Sequence, residues 1–438
     1  MQILIIVLCI ALLVLLITLG KVNTFISFLV VSIVAGIALG IPPDKLGNSI
    51  KTGIGDTFGS LTVIIVLGAM LGKLVAESGA AQKIASALVH SFGTKYIQWA
   101  LMITGFIVGI PLYYGVGFIL LVPLIFSIVY QYKLPAVYIG LPMLAALSVT
   151  HGFLPPHPSP VALATQFKAD VGLTLIYGLI IAVPAIIMAG PVFASRLKNI
   201  NATPLELFRQ KEKNQYREPG SINSFLTTLL PVFLLVIFTA IQHTANNAFT
   251  KGQTFAFISD PSIVMLISLI VATFSLGIGQ GMRMKHVTDI YGDAVKDIAM
   301  IMLIIAGSGV LKQVMTDGGI SAQLASALQK FPVHPLILGW LIAAIIRACV
   351  GSATVAALTA AGVVLPLIAQ AHINPNLMVL AVGAGSLMFS HVNDSGFWLF
   401  KEYFNLSIKD TLRSWSVMEI IVSVTGLAGV LILNAFIK

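Results

Sequence analysis

The chain has 438 residues, of which 58% are hydrophobic and only 9% charged, where soluble domains average about 25% charged. A mean hydropathy of +0.99 excludes a soluble globular protein and points to an all-α polytopic membrane protein. The formal net charge of +9 is explained by the positive-inside rule, so no nucleic-acid partner is expected. Lipid offers the backbone no hydrogen-bond partners, so spans are helices, and the alternating segments of a β-barrel are absent.

Apolar runs at Ile3–Leu19, Phe25–Ile41, Val63–Leu71, Ile176–Ala194, Phe225–Ile241, Ile263–Ile278 and Ile420–Ile437 alternate with short polar breaks. At about 20 residues per span, the chain holds roughly 10 to 14 hydrophobic segments. Met1–Gly20 carries no charged n-region and is expected to remain as a first span. Pro42–Asp56 is polar, and a span ending at Gly79 follows it. Ile97–Tyr130 is too long for one span and is interrupted by Pro111–Gly117, which suggests a helix plus a broken or re-entrant segment. Ala136–Val149 then runs into Ser148–Pro160, S-V-T-H-G-F-L-P-P-H-P-S-P. Proline lacks an N–H and clashes one turn back, so Pro155, Pro156, Pro158 and Pro160 are expected outside regular helix. Leu173–Ala194 crosses again. Ser195–Asn223 is hydrophilic and rich in Arg and Lys, hence cytoplasmic, whereas His243–Pro261 is expected outside. Cys9 and Cys349 fall in apolar runs with no disulfide or metal-ligand spacing and are expected to be buried small hydrophobes.

The sequence then begins again. Gly68–Phe92 is similar to Gly307–Phe331, with Lys73 opposite Lys312 and Gly79 opposite Gly318. Val122-Pro-Leu-Ile matches Leu365-Pro-Leu-Ile, and His151 falls opposite His391. The second copy has its own over-long segment, Pro335–Ala369, interrupted at Arg347 and Gly351-Ser352-Ala353-Thr354, and its own break at Ser390–Trp398. Counting spans outward from the cytoplasmic loop gives an inverted repeat, the architecture in which broken helices of two halves meet at the bilayer midplane. The expected divisions are N-terminal spans 1–43, repeat one 44–195, the cytoplasmic loop 196–222, linking spans 223–282 and repeat two 283–438.

Three motifs, S-V-T-H-G-F-L-P-P-H-P at Ser148–Pro158, G-S-A-T-V-A-A at Gly351–Ala357 and S-H-V-N-D-S-G-F-W-L-F-K-E-Y at Ser390–Tyr403, resemble signatures of the gluconate permease family. The resemblance covers essentially the whole chain. It implies a multi-pass bacterial inner-membrane permease for gluconate or a related sugar acid, usually proton-coupled, with D-serine carried by a neighbouring branch. Many members of that family carry an acid at the position of Gly115; if that acid takes part in coupling there, this chain uses another group or another stoichiometry, and a different substrate is the other reading of the change.

A sugar acid needs a cation for its carboxylate and several polar partners for its hydroxyls. Arg347 is the candidate cation, beside Gly351, Ser352 and Thr354, where backbone donors can approach a ligand. The ordinary alternative is an arginine that snorkels or pairs with an acid such as Asp394. Asn393, Tyr113 and Tyr114 are further candidate partners, with helix packing and interfacial aromatics as the alternatives. Proton coupling needs a group that titrates in the accessible range, which names His151, His157, His391 and Asp394. No cofactor beyond the proton is expected. The partners are the substrate and the lipid bilayer, and a homodimer is one assembly left open.

Three classes of function compete. A secondary carboxylate permease predicts two polar-lined breaks and no nucleotide-binding domain. A cation/proton exchanger would use the same Asp and His without needing Arg347. An intramembrane enzyme would need a nucleophile and base or a metal motif such as H-E-x-x-H, which is not present.

Overall fold

The computed structural model describes residues 2–112, 114–200, 202, 217–244, 250, 252–319, 333–370, 373–391 and 394–437. Its regular structure is helical, with no strand among the described residues. The first half contains α1 (Gln2–Thr18), α2 (Thr24–Ala38), α3 (Pro43–Glu77), α4 (Ala80–Phe92), α5 (Ile97–Gly109), α6 (Tyr114–Tyr132), α7 (Ala136–Phe153), α8 (Pro158–Phe167) and α9 (Val171–Ile187). The linking helices are α10 (Ser221–Thr244), α11 (Gln253–Ser259) and α12 (Pro261–Ala272). The second half contains α13 (Met284–Asp317), α14 (Pro335–Val350), α15 (Ala353–Gln370), α16 (Pro375–Ser386), α17 (Ser395–Tyr403), α18 (Ile408–Thr411) and α19 (Val417–Phe436). Single π turns extend α9 at Met188–Val192 and α12 at Thr273–Gly277, and Leu412–Ser416 leads into α19.

By length and composition, six helical stretches among the described residues can cross a bilayer, and α3, bent by 44° at Ser60, makes a seventh. Large apolar side chains such as Ile37, Ile180, Phe274 and Ile432 stand exposed on the outer helices, as a lipid-facing surface requires. By contrast, α7 and α16 are buried on nearly every face. They form the centre of the fold.

Local sequence explains where many helices start. A polar side chain followed by proline opens α12 (Asp260 and Pro261), α14 (His334 and Pro335) and α16 (Asn374 and Pro375). In each, the cap side chain accepts a first-turn N–H, and proline fills the next position, where its missing donor is not needed. The order of elements repeats between the halves. A long helix (α3, α13) is followed by two helices parted by a short break (α5 and α6, α14 and α15), then by a second such pair (α7 and α8, α16 and α17). The long helices pack against each other, with Lys73 Nζ 2.9 Å from Asp297 Oδ2 and Asp56 acting electrostatically on Lys312.

The polar Pro42–Asp56 begins α3, which lays Gly53 against the backbone of Gly309 and Val310 while Ser49 donates to Asp317 at 2.6 Å. Two local expectations are corrected. Pro158 and Pro160 lie in the first turn of α8, where the N–H they lack would have no intrahelical acceptor. The break therefore narrows to Leu154–His157. Cys9 is buried as expected, but Cys349 is exposed: it continues the outward stripe of Leu341 and Ile345 on α14 at four-residue spacing. The match between Gly68–Phe92 and Gly307–Phe331, and the cytoplasmic loop, fall partly outside the described residues.

Candidate functional site

The central helices meet at their broken ends. A Cβ on Gly383 of α16 would lie 2.3 Å from the carbonyl oxygen of Gly152, one residue past His151 on α7. Glycine at this position lets the two backbones touch. Each break is then tied to the neighbouring broken pair by a histidine. His157 Nε2 donates to the Gly109 carbonyl at the end of α5 at 2.7 Å, and His391 Nε2 donates to the Ala348 carbonyl near the end of α14 at 2.9 Å. The sequence register sets His151 opposite His391. In hydrogen bonding, however, the counterpart of His391 is His157.

Arg347 sits in the last turn of α14, 3% exposed, and α14 stops at Gly351, whose φ of +82° is left-handed. Its Nη1 donates to the Gly351 carbonyl and its Nη2 to Asp394 Oδ2. Asp394 is shared among several donors. Its Oδ1 caps α17 through the Gly396 N–H at 3.0 Å, and its Oδ2 also accepts from the Ser390 hydroxyl. Ser390 in turn accepts from Trp415 Nε1 at 2.7 Å, and its carbonyl accepts from Ser416. A helix N-terminus, a guanidinium and a hydroxyl therefore converge on one part-buried carboxylate.

The first half closes on the same point. Tyr114, in the first turn of α6, lies 6.1 Å from the Trp415 ring and 5.9 Å from the His151 ring, centroid to centroid. His151 meets His157 edge-on at 5.4 Å and feels the charge of Arg347. On the other side of Trp415 the ring stacks on Phe400. The result is a continuous run of polar and aromatic groups from His157 through His151, Tyr114, Trp415 and Ser390 to Asp394 and Arg347.

Of the residues named from sequence, Arg347, Gly351 and Asp394 are in direct contact, and Tyr114, His151 and His157 form one cluster. Ser352 offers its hydroxyl to the Val355 N–H at 3.4 Å, opening α15, and Thr354 is buried in its first turn. Tyr113 and Asn393 lie outside the described residues. Sequence reasoning missed Ser148, Ser390, Trp415 and Glu419. Ser148 donates to Glu419, which is 2% exposed in the first turn of α19. The available signal was an acid one residue ahead of the apolar run Ile420–Ile437. Among the described residues, no three His, Cys, Asp or Glu side chains are grouped to hold a metal ion. A groove of about 560 Å³ lined by Lys45, Ser49, Gln313 and Asp317 lies at the junction of α2, α3 and α13 and shares no residue with the breaks.

Paired helix breaks around an enclosed ion pair, in a fold of apolar helices, are the arrangement of a membrane transporter. The family model described as GntP family permease matches residues 1–436, and the chain belongs to that family. It is 48% identical over 422 residues to the high-affinity gluconate transporter of Escherichia coli (strain K12), covering 95% of each chain. It is 47% identical over 416 residues to the Gnt-II system L-idonate transporter of the same strain, again with 95% of each covered. It is 46% identical over 425 residues to the gluconate permease of Bacillus subtilis (strain 168), covering 94% of this chain and 95% of that one. Among solved structures it is similar in fold to the YdaH transporter of Alcanivorax borkumensis, with a TM-score of 0.68, 17% identity, and 94% and 97% of the two chains covered. The chain is a multi-pass protein of the bacterial inner membrane.

Proposed function

We propose that this protein carries gluconate or a related sugar acid inward, coupled to protons, by alternating access. The observation that carries this reading is the contact between Arg347 and Asp394 where the breaks of both halves meet. Arg347 is nearly enclosed, and its Nε is buried with no hydrogen-bond partner. A guanidinium in that position can turn its fork to a substrate carboxylate, which then competes with Asp394 for the cation. Removing the partner of a buried acid is costly unless its charge is balanced, so binding of substrate and binding of a proton become linked. The coupling groups in this reading are Asp394, His151, His157 and His391.

The hydroxyls of a sugar acid would find partners at Gly351, Ser352, Thr354 and Tyr114, with Tyr113 and Asn393 in the same segments. Segments 44–195 and 283–438 would act as inverted repeats, and the part carrying both breaks would move against the surrounding helices. Relatives named for gluconate and L-idonate transport support this class of substrate.

The test is uptake of radiolabelled gluconate by the reconstituted protein in vesicles, with and without an imposed pH gradient, using L-idonate, D-serine and cations as competitors. Gluconate accumulation driven by the gradient is expected. Cation/proton exchange without gluconate transport would overturn the reading.

A further inference from the structure

Glu419 is enclosed in the first turn of α19, and among the described residues its carboxyl meets one hydrogen-bonding side chain, that of Ser148 on α7. The serine oxygen stands 2.7 Å from one carboxyl oxygen and 2.9 Å from the other. A hydroxyl has one hydrogen to share between the two oxygens, so a charged carboxylate here is short of donors. Asp394 is different: it has a guanidinium, a hydroxyl and a backbone N–H around it. The two acids are built for different roles.

Few ionisable groups surround Glu419. The elements packed on α19 contribute Tyr138 and His151 from α7, Tyr177 from α9, Arg347 and Cys349 from α14, and Arg413 from the preceding π turn, while α16 contributes none. Of these, Arg347 acts electrostatically on Glu419, and so does Asp394 ahead of α17. Among the described residues, buried Glu419 and part-buried Asp394 thus share one cation. A substrate carboxylate would make a third.

We propose that Glu419, in place of the three histidines and Asp394 named above, binds the transported proton, with Ser148 as its positioning hydroxyl and Asp394 as the ionic competitor of the substrate at Arg347. On the outer side an O–H bond forms at Glu419 with a proton from water, and the sugar acid then docks on Arg347. On the inner side that O–H bond breaks and the proton leaves with the substrate. The added proton and the substrate's negative charge cancel, so the loaded site crosses with the same charge as the empty one. Substrate alone would leave an extra buried negative charge, which disfavours crossing. One proton per substrate follows.

This inference rests on the proton-coupled reading above and is tested with the full chain in vesicles, using labelled gluconate. Glu419→Gln is expected to lose accumulation under a pH gradient and to lose proton uptake on adding substrate, yet still to exchange internal for external gluconate. Glu419→Asp should recover part of the accumulation. A Glu419→Gln protein that still accumulates gluconate with proton uptake overturns the role of Glu419, as does one that is folded but has lost exchange as well. If Glu419→Gln does not reach the membrane, Ser148→Ala decides: a moved pH profile of accumulation supports the proposal and an unchanged profile overturns it. Wild-type uptake that ignores the pH gradient would instead overturn the proton-coupled reading itself.

Discussion

Gly383 of α16 stands directly against the carbonyl oxygen of Gly152 on α7, with only 2.3 Å available to a Cβ. The helices leading into the two breaks therefore touch backbone to backbone, and a side chain at Gly383 would part them. Gly383→Ala is expected to cost about 1–3 kcal/mol, the usual range for overpacking a tight core. Thermal unfolding of the purified protein in detergent checks it, and uptake should fall in parallel. An unchanged Tm would show that the contact relaxes freely.

Arg347 meets Asp394 through one Nη and the Gly351 carbonyl through the other. Lysine keeps the charge but offers a point donor in place of the fork, so Arg347→Lys should weaken gluconate binding about ten- to hundredfold, the loss of one or two charge-assisted hydrogen bonds. Equilibrium binding of labelled gluconate measures this. Unchanged affinity would remove Arg347 from the carboxylate site.

Asp394→Asn separates charge from scaffold. Asparagine caps a helix as well as aspartate does, so the start of α17 should survive. The negative partner of Arg347 is lost, however, and with it the competition that links substrate to proton. Uphill gluconate uptake is expected to disappear while the protein remains folded. Accumulation retained in vesicles under an imposed pH gradient would reject the role.

Trp415→Phe keeps a ring beside Tyr114 and Phe400 but deletes the 2.7 Å hydrogen bond to Ser390. The loss should be about 1 kcal/mol, the net value of one hydrogen bond. It reads out as a lower Tm with residual uptake. A wild-type Tm together with wild-type uptake would mean that Ser390 is held by Asp394 alone.

Much of the site was legible because membrane burial makes polar and helix-breaking residues conspicuous. Arg347, Asp394, His151 and His157 stood out against apolar surroundings, and the breaks stood out through Pro155, Pro156 and Gly351. Trp415 was hidden because an aromatic residue near the end of a span is ordinary. Glu419 was hidden because an acid beside an apolar run looks like the edge of that run. Only the continuation of α19 back through the Leu412–Ser416 π turn places the acid inside the packed protein.

By itself, then, the sequence determined the solvent, the helical class and the positions of most breaks, since each follows from local composition and from backbone chemistry that lipid cannot satisfy. The tertiary structure decided which of the marked residues meet. It joined Arg347 to Asp394 across 47 residues and Ser148 to Glu419 across 271. It also gave His157 a hydrogen bond to the end of α5 like the one His391 makes near the end of α14. Such pairings depend on how α7 and α16 cross and on the close approach that Gly152 and Gly383 allow, a property of two backbones in contact that no single stretch of chain contains.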